Sequence, residues 1–90
     1  MSLHDIRSQI DGIDAELVQM LAAREALVRQ AAAFKVDEQA VRAPDRVEEV
    51  ITKVRALSGE LGASPELVER VYRAMIGAFI DLELTEHRTD

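Results

Sequence analysis

Between Ile6 and Phe34 the sequence carries a single apolar seam. Ile6, Ile10, Ile13, Leu17, Met20, Leu27, Ala31 and Phe34 recur in alternating steps of four and three, with one gap at position 24. That rhythm specifies one face of an α-helix. No proline intervenes before Pro44, and Ser2 with Asp5 three residues on reads as a capping-box start. One helix is therefore expected from about residue 2 to about residue 36, where "VDEQAVRAPD" loses the pattern. About 35 residues of helix reach roughly 50 Å at 1.5 Å per residue. A compact chain of this size has a radius of gyration of only about 12 Å. The seam outruns the domain it belongs to, and its excess needs a cover, most simply a second copy of the chain. An obligate homodimer is expected.

The remainder follows the same helical period. Pro44 starts a second helix whose stripe is Val47, Val50, Ile51, Val54, Leu57 and Leu61. "SGELGASPE" closes it, with Gly59 and Gly62 as breakers, Ser64 as the next N-cap and Pro65 in the first helical position. A third helix over about 65–86 turns Leu67, Val68, Val71, Met75, Ile76, Phe79 and Leu82 inward. With 48% hydrophobic but 3% aromatic residues, the core must be aliphatic. The fold class expected is all-α: a long, a short and a medium helix in one domain over 1–90, intertwined with a second copy. Cysteine is absent, which excludes disulfides and zinc–thiolate sites. No window is apolar enough to span a membrane, and "MSLHDIRSQID" is too polar for a secretory signal, so a cytoplasmic protein is expected. A net charge of −6 argues against nucleic-acid binding. It leaves room for a small anion held by a local cluster of cations.

Such a cluster is prefigured where the seam is broken. Arg24 fills its gap, and Lys35, eleven residues on, falls within about 20° of it and roughly 16 Å along the axis. A lone arginine in a seam commonly snorkels to water. Glu83, however, also faces inward, seven residues after Ile76. Burial favours the neutral form of such a carboxyl unless a cation pairs with it. On pattern alone, an ion pair with Lys35 or Arg24 and membership of a pocket are equally open. Arg46, on the first turn of the second helix, can point toward the same space, whereas Arg42 is expected to face water. Arg7 lies 17 residues before Arg24, roughly 25 Å along the helix, so one chain cannot bring both to one small molecule. In an antiparallel dimer the partner's Arg7 can. Arg29 is about 140° from Arg24 and serves as an internal control. His4 and His87 lie near the chain ends, and the acids at 37–38 and 48–49 read as solvated faces. There is no Ser/His/Asp set, phosphate loop or metal-ligand spacing, and no cofactor is expected. What remains is a pocket with guanidinium groups, one ammonium and one carboxyl.

These residues resemble the all-helical (AroQ-class) chorismate mutases over nearly the whole chain. "IRSQIDGIDAELVQMLAAREALV" is similar to the family's first-helix signature, supplying Arg7, Ile10, Asp11, Asp14, Leu17, Leu21 and Arg24, with Lys35 at the family's interval. "APDRVEEVI" is similar to the start of its second helix and brings Arg46. The resemblance implies an intertwined dimer with two sites, each borrowing Arg7 from the partner. Arg24 and that Arg7 would bind the carboxylates of a dianionic substrate, with Arg46 assisting. Lys35 would reach the ether oxygen and a neighbouring carboxylate. Glu83 stands where many members have a Gln that donates to the same oxygen. The implied reaction is the pericyclic conversion of chorismate to prephenate, in which fixed cations hold a reactive conformer and stabilise charge on the ether oxygen.

Three positions depart from the common bacterial pattern. Val47 replaces an acid near the ring hydroxyl, Phe79 a small polar residue and Ala43 a loop acid. With "AAAFK" and "APDRV" they make the chain look closer to the isochorismate pyruvate lyases of siderophore synthesis, which form salicylate. A mutase acting on an amino-deoxychorismate is a further alternative, and a non-catalytic dimerisation module another. Ninety residues leave no room for an attached dehydratase, dehydrogenase or regulatory domain, so control is expected from another protein.

Overall fold

Ser2 and Asp5 cap the first helix reciprocally. The Asp5 backbone N–H donates to Ser2 Oγ at 3.1 Å, and the Ser2 backbone N–H donates to Asp5 Oδ2 at 3.0 Å. In the computed structural model, which describes residues 1–89, that cap opens α1, Leu3–Ala32. Then follow α2 (Glu38–Arg42), α3 (Pro44–Leu61) and α4 (Pro65–Thr89), and no strand occurs among the described residues. The all-α class and the three principal helices are as the periodicity requires. The chain divides into two compact units, Met1–Ala31 and Ala32–Asp90.

The first unit is α1. None of its residues is buried, and its seam lies open: Ile10 is 50%, Leu17 55% and Leu27 64% exposed. Most helical stability in proteins comes from packing an apolar face, not from intrinsic propensity.

The second unit is built on the α3–α4 hairpin. Gly62 ends α3 at φ 79°, a left-handed conformation that glycine adopts without Cβ strain. The Ala63 N–H reaches back to the Ser58 carbonyl at 2.9 Å, closing a Schellman turn. Ser64 then accepts the Leu67 N–H at its Oγ and starts α4, with Pro65 in the first position. Ile51 and Ile76 are buried as the stripes require, together with Val41, Leu84, Ser58 and Glu83. Leu57, Leu61, Leu67 and Val71, expected inward, are exposed instead. They lie toward the turn, at the ends of two antiparallel helices, where no third element of this unit covers them.

A charged ladder joins the hairpin. Arg73 donates to both Glu48 oxygens at 2.9 Å and to Glu69 at 2.8 Å, and Arg55 donates to Glu69 at 2.7 Å. Hydrogen bonds from Arg73 hold the Glu48 and Glu69 carboxyls below the ordinary value of 4.5. A carboxyl lowered on folding stabilises fully above its unfolded value, and that contribution is lost as pH falls through its folded value. Thermal unfolding should therefore show a midpoint that drops on acidification below about pH 4.5, less so in Glu48→Gln. Because the ladder is solvent-exposed, added salt should shrink the difference.

Candidate active site

α1 stops at Ala32, four residues before its expected end, because the chain restarts at Asp37. There the backbone is extended (φ −153°, ψ 177°) and the Asp37 side chain accepts the Ala40 N–H at 2.8 Å. "DEQA" thus contained a cap and a short helix, α2, that apolar periodicity could not register over so few residues. Asp37 is a cap and not merely part of a solvated face. α2 packs on α4 and buries Val41, which is 2% exposed.

The consequence concerns Lys35. It lies in the connector between α1 and α2, with its N–H on the Ala32 carbonyl at 3.1 Å, so a shared helical face with Arg24 does not place it. The connector does. Lys35 Nζ donates to both oxygens of Glu83, 3.1 Å to Oε1 and 2.9 Å to Oε2. The Glu83 side chain is 5% exposed and that of Lys35 25%. A buried carboxylate without a partner is costly, and a two-point bond to an ammonium satisfies both its oxygens. Of the two partners open to Glu83 on pattern alone, the structure gives Lys35.

The other candidates occupy distinct places. Phe79 is half-buried on α4, one turn before Glu83, and Val47 is half-buried on the first turn of α3. Ala43 joins α2 to α3 as C-cap of one and N-cap position of the other, at φ 38°. That left-handed conformation is unusual for a residue with a Cβ, and the following proline restricts it further. Arg46 is exposed and donates to Glu49, which also accepts from Lys53. The structure therefore does not bring Arg46 to the Lys35–Glu83 pair. Arg42 is exposed, as expected, and bonds Glu38. Arg7 and Arg24 both lie on the uninterrupted α1, in the first unit, with Arg7 exposed and Arg24 half-buried. Their 17-residue separation, roughly 25 Å, is thus a real helical distance.

Among the described residues, no three His, Cys, Asp or Glu side chains cluster to hold a metal ion. No helix of the described residues is long and apolar enough to cross a membrane. What the second unit offers chemically is an ammonium for an anion, and a carboxyl that donates a hydrogen bond when protonated.

The family model of chorismate mutase type II matches residues 6–84. The chain is 36% identical over 78 residues to the isochorismate pyruvate lyase of Pseudomonas aeruginosa, covering 87% of this chain and 77% of that protein. It is 36% identical over 73 residues to the T-protein of Haemophilus influenzae, covering 80% of this chain but only 19% of that one. The matched span runs from the first seam residue of α1 to the buried Leu84 of α4, taking in Arg7, Arg24, Lys35, Arg46 and Glu83. The chain belongs to the chorismate mutase type II family.

Proposed function

We propose that the chain converts chorismate to prephenate in sites shared between two copies. The observation that carries the reading is the family match over residues 6–84, which contains an inward-facing Lys35 bonded to a buried Glu83. In this reading Arg24 and the partner's Arg7 bind the two carboxylates, and Arg46 swings from Glu49 to assist. Lys35 serves the ether oxygen and a carboxylate. Protonated Glu83 donates to the same oxygen. Val47, Ala43 and Phe79 line the ring. The rearrangement needs no nucleophile or general base. It requires a held conformer and donors aimed where charge develops, in a site closed to water. The open seam of α1 supports the second copy, because a contiguous apolar stripe of this length exceeds the scattered hydrophobics of a monomer's surface. The opposite charge of substrate and site cations supports a dianionic ligand.

A second reading is elimination of pyruvate from isochorismate to give salicylate. The name and coverage of the Pseudomonas aeruginosa relative favour it, as does the absence of an acid at Val47 to discriminate the ring hydroxyl. Purified protein mixed with each compound separates the two. Prephenate formation is followed by loss of chorismate absorbance, and salicylate formation by fluorescence. Faster turnover of chorismate is expected. Faster salicylate formation would replace the first reading by the second, and no turnover of either would leave a dimerisation module.

A further inference from the structure

The Lys35 ammonium is already matched within the chain. Both of its bonds go to one carboxylate, Glu83, which is 5% exposed. The same contact seats the connector on α4. Phe34 and Val36, on either side of Lys35, are 88% and 90% exposed, whereas Lys35 and then Val41 turn inward.

An anion that engages Lys35 must take it from Glu83. The carboxylate left behind is still buried, has lost its cation and faces an incoming negative charge. Both changes favour its neutral form, because a buried charge stripped of its partner is among the costliest states a side chain can adopt. Most charged groups of the elements packed on α4 are bonded elsewhere. Glu38 bonds Arg42 on α2. On α3, Arg46 and Lys53 bond Glu49, Glu48 bonds Arg73, and Arg55 pairs with Glu66 and Glu69. Asp45 and Glu60 are exposed. On α4 itself the flanking ionisable groups are the exposed Asp81 and the half-buried Glu86 and His87.

We propose that the Lys35–Glu83 ion pair is an internal stand-in for bound substrate, exchanged on binding so that Glu83 takes up a proton as Lys35 takes up the anion. The proton comes from solvent and adds to one Glu83 oxygen, and no other bond forms or breaks. The inference rests on the reading of Lys35 as a substrate-binding cation, and it adds how the carboxyl reaches its donating form at neutral pH. A glutamine at this position donates without a proton. Here occupancy of the site and protonation of Glu83 become one event, and by linkage each favours the other.

Calorimetric titration of the wild-type protein with prephenate, in two buffers of different ionisation enthalpy near neutral pH, counts the protons. About one proton taken up per site is expected, with affinity falling about tenfold for each unit of rising pH. Glu83→Gln, checked for helicity, should bind prephenate with no proton exchange and little pH dependence. Prephenate binding to the wild type without proton uptake overturns the exchange while leaving the reading of the site intact. Failure of prephenate to bind at all overturns that reading and the exchange with it.

Discussion

Arg24→Ala and Lys35→Ala should each lower kcat/KM for chorismate on the order of 10²- to 10³-fold, the loss typical of removing one fixed transition-state donor. In free energy that is about 3–4 kcal/mol. The two variants should differ in stability. Arg24 lies on the seam of α1, where alanine continues a helix well. Removing Lys35 strands the buried Glu83, a loss of about 3 kcal/mol by the usual cost of breaking a buried pair. Lys35→Ala combined with Glu83→Gln should therefore regain stability without regaining the activity that Lys35 supplies. Steady-state kinetics with parallel thermal unfolding separates the two effects. Arg29→Ala is the matched control, because Arg29 bonds Glu25 at the α1 surface and its loss should leave kcat/KM unchanged. A loss below about threefold for Arg24→Ala or Lys35→Ala, against that expected for a donor, would remove the residue from the site.

The second large effect concerns the seam. Leu17 is 55% exposed and Ile13 56%, midway along a 30-residue helix with no buried residue. If a second copy covers this stripe, Leu17→Asp places a charge inside an apolar interface and leaves it unpaired. Sedimentation should then show loss of the dimer, with loss of helicity and of nearly all activity. Dilution of the wild-type protein should likewise yield no folded, active monomer, since each site would lack its Arg7. A stable, fully active Leu17→Asp monomer would dismiss the shared site.

Much of this architecture is legible in the sequence, for identifiable reasons. α1, α3 and α4 have long apolar stripes with strong punctuation: the Ser2–Asp5 box, Pro44, Gly62 and the Ser64–Pro65 pair. Glu83 was legible as an inward acid because it breaks a stripe otherwise made of apolar residues. The connector was not legible in the same way. Five residues of α2 offer no full period, so the sequence pattern hides the Asp37 cap among polar residues and carries the long helix on through Lys35. Lys35 turns inward by a different route from the one its spacing to Arg24 suggests: a turn after Ala32 carries it onto α4. Arg46 shows the reverse case. Its helical position permits an inward course, but Glu49, three residues on, supplies a nearer partner. The exposed Leu57, Leu61, Leu67 and Val71 show that periodicity marks which face is apolar and does not say what covers it.

Mixing two inactive variants tests the shared site most directly. Arg7→Ala and Arg24→Ala chains, unfolded together in equal amounts and refolded, should form hybrid dimers as half of the product. Each hybrid carries one site with both arginines intact and one with neither, so prephenate formation should recover to about a quarter of the wild-type rate. Activity that stays at the level of the separate parents would contradict a site built from Arg24 of one chain and Arg7 of the other.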